Sequence, residues 1–176
     1  MRVDLTDLFP LTIPVQVIDI HDGDTMTVRS GRRMMRVRLS RIDAPELSQK
    51  FHQSKMNAGF PARDCVRKLV PAETVLSIQG FDLYHRTLGD IGGINYLAVK
   101  NGCAGIYPHA RFSSVNEKME FLRALNEAKK NRRGVWGHGC YMIPKKYRKI
   151  SKRGEHPQWH RRLHSRATYP PGRRSG

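Results

Sequence analysis

Between residues 13 and 42 the chain alternates apolar and polar side chains in three short runs separated by turn residues. No other feature limits the fold as strongly. IPVQVIDI (13–20) is rich in β-branched residues and has the period of two that a strand requires. His21-Asp22-Gly23 is a turn signal, DTMTVRS reads as a second strand, and Ser30-Gly31 as a second turn. MMRVRLSRI (34–42) places Met35, Val37 and Leu39 on one face and Arg36, Arg38 and Ser40 on the other. Three strands joined this tightly make a meander, the start of a barrel or a sandwich.

A long polar loop is expected from Asp43 to about Met56. The stripe Ala62, Cys65, Val66, Leu69 predicts a helix over 61–69, with Pro61 in its first turn and Pro71 stopping it. TVLSIQGF (74–81) and residues 87–91 read as two more strands, and 94–101 as a short helix ending at Gly102. The clearest helix spans 114–131. Ser114 is its N-cap, Glu117 follows three residues on, and Met119, Leu122, Leu125 and Ala128 are expected to form its inner face. Trp136 should fold back against the body. Five strands with about three helices predict an α+β, mainly β chain, most simply a closed barrel with helices packed around one end. The organisation expected is a lead-in over 1–12, one domain over 13–142 and a basic tail over 143–176.

There are 32 Lys and Arg against 15 Asp and Glu, a formal charge of +17. Such a surplus attracts polyanions across a Debye length of about 8–10 Å in ordinary salt. Nucleic acid is the commonest such partner, and an anionic membrane surface is the main competitor. Residues 144–176 hold eleven basic side chains and one acid, Glu155, so the tail is an electrostatic appendage to a more balanced body. No apolar run reaches the length of a spanning helix, and no membrane partner is expected. The opening MRVDLTDLFPLTIP lacks the form of a secretion signal, which leaves location open between retention and export after removal of a signal. Cys65, Cys103 and Cys140 cannot all pair within one chain, and their spacings match no zinc template. Three reduced thiols are the expectation, with one disulfide and a spare thiol as the alternative.

Three segments carry the chemistry. Asp22-Gly23-Asp24-Thr25 is, alone, an ordinary turn. In Arg38-Leu39-Ser40-Arg41-Ile42-Asp43-Ala44-Pro45-Glu46 an arginine lies on a strand and two carboxylates follow its end, with Pro45 stiffening the exit. Asp82-Leu83-Tyr84-His85-Arg86 brings a second arginine to the next strand connection. Phosphodiester hydrolysis needs these parts. Hard oxygen ligands hold a cation that offsets the diester's charge. A carboxylate orients or deprotonates water. Two arginines fork onto the oxygens of the five-coordinate transition state, a geometry that lysine matches less well. The competing assignment makes Arg38 a structural ion-pair partner of Asp24 or Asp43.

Taken in order and spacing, DGDT, RLSRIDAPE and DLYHR resemble the active-site segments of the staphylococcal-nuclease family. The resemblance covers about residues 13–137 and includes EAKKNRRGVW, similar to the family's lysine-rich helix end followed by tryptophan. It implies a five-stranded barrel of the oligonucleotide-binding (OB) type. It also implies Ca²⁺-dependent cleavage of DNA and/or RNA with little sequence preference, leaving 3′-phosphate ends. Asp24 and Asp43 then resemble the carboxylate ligands of Ca²⁺, Ala44 supplies a backbone carbonyl, and Asp22 stands in the outer shell. Glu46 resembles the general base or water-positioning residue, and Arg38 and Arg86 the phosphate clamps. Ala44 replaces the threonine of the best-known member. The resemblance makes Tyr84 and Tyr107 candidates for the substrate-side rings, with Pro108-His109 where a second tyrosine is expected after Tyr107. A monomer is expected.

Other features read more plainly. His138 with Cys140 lacks two further zinc ligands. His156, His160 and His164 recur every four residues in the tail and suit a solvated or phosphate-facing surface. Two further functions compete with a nuclease. One is a binding module of the same fold without catalysis. The other is a basic structural protein, which accounts for the charge but not for the placement of the acids.

Overall fold

The structure is a computed structural model that describes residues 10–49, 57–138 and Pro144. The three alternating runs form the expected meander of β1 (Leu11–Ile20), β2 (Thr25–Ser30) and β3 (Arg33–Leu39). Val17 lies opposite Val28, and Val28 opposite Met35, so alternate residues stack by level. Val15, Met26, Val28, Val37 and Leu39 are buried, whereas Arg29 and Arg36 point outward and are exposed. Beyond the two-residue strand β4 (Ile42–Asp43), β5 (Glu73–Phe81) pairs antiparallel with β1 and with β6 (Thr87–Ile91), and β6 runs parallel to β3. The order β1-β2-β3-β6-β5 closes into a barrel. Closure gives each barrel strand a partner on both sides. With three α-helices outside it, this is the mainly β, α+β closed barrel that the pattern predicted, and it is consistent with the OB type that the resemblance implied.

The strand that bears Arg38 ends sooner than its alternation suggested. It stops at Leu39, because Arg41 adopts φ 67°, a left-handed conformation unusual for a side chain of this size. Contacts from the Arg41 guanidinium to the Arg111 carbonyl at 3.2 Å and to Glu117 at 3.3 Å accompany that bend. Beyond it lies a separate two-residue strand, β4 (Ile42–Asp43), paired with β7 (Gly105–Ile106). Asn95, fully buried on α2 (Ile94–Lys100), donates to the carbonyls of Ser40 and Gly89 and so ties the end of β3 to β6.

Helix α1 (Gly59–Arg67) buries Ala62 and Val66, and Ala62 lies against Gly23 of the β1–β2 turn. The approach is too close for extra atoms. A Cβ on Gly23 would lie 2.6 Å from that of Ala44, and one on Gly59 would lie 2.4 Å from the Glu46 carbonyl. Both glycines therefore let α1 rest directly on the segments that carry the acids.

Two expectations need correction. On α3 (Val115–Lys130) the buried residues are Phe121, Ala124 and Ala128, while Met119 is exposed and Leu122 and Leu125 are only partly covered. Phe121 meets Tyr96 and Phe112 edge-on at 5.4 and 5.3 Å, and this aromatic anchor sets the rotation of the helix. The cap is as read: the Ser114 hydroxyl accepts from the Glu117 amide. The cysteines are not all reduced. Cys65 on α1 is disulfide-bonded to Cys103 after α2, with Cα atoms 5.4 Å apart. β1 begins two residues before the expected strand, at Leu11. No described helix is long and apolar enough to cross a membrane. Cys140 and the tail histidines lie outside the described residues.

Candidate active site

The acids gather where three segments meet at one end of the barrel: the β1–β2 turn, the end of β3 with β4, and the loop after β4. In the turn, Asp22 accepts the Asp24 amide at 2.9 Å, an Asx turn that points Asp24 inward. Asp24 is almost buried. One of its oxygens accepts the Ala44 amide at 2.7 Å, and the other accepts the Thr25 hydroxyl at 3.1 Å. The Ala44 contact joins the turn to the segment beyond β4. Asp43 is fully buried beside it.

Arg38 binds this group together. Its guanidinium lies 3.2 Å from Asp24 and 3.3 Å from Asp43, and it donates to the carbonyls of Leu39 and Ile42 at 2.9 and 3.1 Å. The bend at Arg41 makes this possible by turning the Ile42 carbonyl back toward β3. Arg38 is thus the ion-pair partner of both acids, and its planar fork is aimed by four contacts rather than left to swing.

Asp22 reports how crowded the acids are. Burial, reinforced by the Asp24 carboxylate beside it and by Glu46, pushes its carboxyl up to about 7. Glu46 therefore stands within electrostatic reach of the turn. Its backbone is held by a buried residue that has no mark in the sequence pattern. Gln49 donates its amide to the Glu46 carbonyl at 2.8 Å, and its side-chain oxygen accepts the Glu46 amide. A buried glutamine in a polar loop leaves no periodic signal, so only the fold exposes it.

Arg86 is built separately. Asp82 accepts the amides of Tyr84 and Arg86 and the Arg86 guanidinium at 2.7 Å, and the guanidinium lies 5.7 Å from the centre of the Tyr84 ring. His85 takes φ 59° to close this cup. Burial of Asp82 works toward a higher pKa, but the hydrogen bonds from Arg86 and Tyr84 and the Arg86 charge together hold it below the usual value. Parallel pairing of Val37 with Thr87 sets Arg86, the preceding residue, beside β3. Tyr84 is largely exposed. Tyr107 is half-buried, and His109 packs edge-on against it at 5.7 Å, so a histidine ring stands where a second tyrosine was expected.

The donor set suits a hard cation: two buried carboxylates, a neighbouring backbone carbonyl and a third acid whose carboxyl is driven up by burial and its anionic neighbours. Among the described residues no three His, Cys, Asp or Glu side chains gather closely enough to hold an ion by themselves. Such an ion takes roughly six to eight oxygens, so backbone, water and substrate would complete its set.

A family model described as "Staphylococcal nuclease homologue" matches residues 36–138. The chain is 32% identical over 143 residues to a protein of Escherichia coli O157:H7 named "Uncharacterized endonuclease", covering 73% of this chain and 85% of the relative. It is 32% identical over 151 residues to "Micrococcal nuclease" of Shigella flexneri, covering 78% and 81%. A Haemophilus influenzae protein, also named "Uncharacterized endonuclease", is 32% identical over 143 residues, covering 78% and 74%.

Proposed function

The chain belongs to the staphylococcal nuclease family, and from that premise we infer that it is a nuclease that hydrolyses phosphodiester bonds of DNA and/or RNA with Ca²⁺, leaving 3′-phosphate ends. The observation that carries this reading is the placement of Arg38. Its guanidinium sits between two buried aspartates, with Glu46 near by, on a strand whose parallel neighbour begins just after Arg86.

Asp24, Asp43 and the Ala44 carbonyl are the residues that would hold the ion, with Asp22 behind them. When bound, Ca²⁺ offsets the charge of the diester and polarises a phosphoryl oxygen. The chain's own residues do the rest. A substrate phosphate competes with Asp24 and Asp43 for the Arg38 fork, which its backbone contacts already aim. Arg86, braced by Asp82, offers a second guanidinium to the charge that grows on the equatorial oxygens. Glu46, its backbone pinned by Gln49, orients a water and accepts its proton. Tyr84 and Tyr107 supply exposed or half-exposed rings for a sugar or base.

End chemistry tests the assignment. Digestion of an oligonucleotide bearing a 5′ fluorophore, with Ca²⁺, should give fragments that migrate ahead of 3′-hydroxyl markers of equal length. Phosphatase should then bring them back to those markers. Fragments that already co-migrate with 3′-hydroxyl markers would contradict the assignment, as would equal cleavage in chelator.

A further inference from the structure

We propose that the Cys65–Cys103 disulfide is a redox-sensitive positioning element: formed, it holds α1 against the Glu46 segment, and its reduction releases that segment and lowers turnover. This rests on the nuclease reading of Glu46. The path from sulfur to carboxylate is short. The Gln49 amide donates to the Glu46 carbonyl at 2.8 Å, and the Ala58 amide, at the head of α1, donates to the Gln49 carbonyl at 2.5 Å. A Cβ on Gly59 would lie 2.4 Å from the Cα of Leu47, so the first turn of α1 rests on the residue after Glu46. Cys65 follows on the same helix, roughly 9 Å from Gly59 along its axis. The other end of the bond is fixed. Cys103 is fully buried, its amide donates to the Ala98 carbonyl at 2.8 Å, and the Gly102 carbonyl before it accepts the Val135 amide at 2.9 Å. Ala98 lies on α2, whose Asn95 ties β3 to β6. The disulfide therefore clamps α1, and with it the Glu46 backbone, to the frame that carries Arg38.

Without that clamp α1 is poorly held. It has nine residues, fewer than the roughly 12–15 that a helix needs to persist alone in water. Ala58 at its N-cap has no side-chain acceptor for the first amides, and no acid stands in its first turn. The residues it buries, Gly59, Ala62 and Val66, are small and remove little apolar surface from water. Arg67 pairs with Asp64 at 3.0 Å and Arg63 stacks over Phe60 at 5.2 Å, contacts that stay within the helix. A segment held this lightly opens locally while the barrel stays folded. Access favours attack at Cys65, which is half-buried, over Cys103, which has no exposed surface. A thiolate of a dithiol reductant attacks the Cys65 sulfur and expels the Cys103 sulfur, which takes up a proton. The second sulfur of the reductant then displaces Cys65, likewise protonated, and closes the reductant's own disulfide. Two electrons and two protons pass from the dithiol to the protein.

The test incubates wild type with oxidised or reduced dithiothreitol and follows cleavage of one single-stranded oligonucleotide in Ca²⁺, well below the melting midpoint of either form. Reduction should lower kcat about 10–10²-fold, leave affinity for the strand in chelator unchanged, and be reversed by reoxidation. Cys65→Ser/Cys103→Ser should start at the reduced value and ignore the reductant. Because the effect passes through Glu46, the residual activity of Glu46→Ala should ignore the reductant too. An unchanged kcat on reduction, a loss carried by KM alone, or the same fold loss in Glu46→Ala as in wild type would overturn the proposal. If oxidised wild type cleaves nothing, the nuclease reading fails on its own. Hydrogen exchange at the Gln49 and Ala58 amides then still reads the clamp: it should be faster after reduction, and equal exchange in both forms would overturn it.

Discussion

Arg38 and Arg86 show how differently one residue type can be held by its surroundings. Arg38 is aimed by two backbone carbonyls and two buried acids. Arg86 leans on Asp82, with the Tyr84 ring beside it. That dependence has a pH signature. Asp82 titrates below its usual 3.8 in the fold, so the stability it contributes is present above that pH and fades as pH falls through the lowered value. Arg86→Ala removes the charge and the side-chain hydrogen bond that help to lower it. The variant should melt below wild type at pH 7, and the gap should close below about pH 3.8. A gap of constant size across a pH series of melting curves would contradict this. At this scale the sequence singles out both arginines and the acids around them, because the proposed chemistry calls for those residue types in that order. Asp82 reads there only as part of a connection and Gln49 not at all, since neither brace has a pattern in one dimension.

Elements are legible in proportion to their periodicity. β1, β2, β3, β5 and β6 each announce themselves by alternation or by a β-branched run between turn residues. β4 and β7, two residues each, are too short to show any period. The aliphatic stripe of α3 locates the helix but misjudges its rotation, because Phe121, off that stripe, is the anchor. The disulfide escapes a reading of spacings, whose templates speak of zinc sites, whereas this pair meets only after α2 returns the chain to α1. It joins residues 38 apart, a loop worth about 4 kcal/mol in the chain-entropy model. Reductant should lower the melting temperature of wild type by roughly 10 °C. The double variant Cys65→Ser/Cys103→Ser should begin at that lower temperature and respond no further. A wild type indifferent to reductant would show that the bond does not form. Because α1 rests on Gly23 and on the Glu46 backbone, nuclease activity measured along the same series reports how far that clamp matters to the acids.

Across the whole molecule, the closed barrel supplies rigidity at one end, and the +17 charge supplies reach. These are separate contributions. The charge attracts any polyanion and makes binding steeply salt-dependent, whereas the acids at the mouth, themselves unfavourable to an anionic substrate, suit the proposed cation and water. Composition makes the first legible and the three motifs the second; their convergence at one end of a closed sheet is visible only in three dimensions.

The central claim, that this end of the barrel performs hydrolysis, is tested most directly by comparing wild type with Glu46→Ala on one single-stranded oligonucleotide, with Ca²⁺ and with chelator. The account predicts cleavage that needs Ca²⁺ and falls by about 10²–10⁴ in the variant, with affinity in chelator unchanged. Wild type that binds the strand tightly in a salt-sensitive way, yet leaves it intact in excess Ca²⁺, would contradict it.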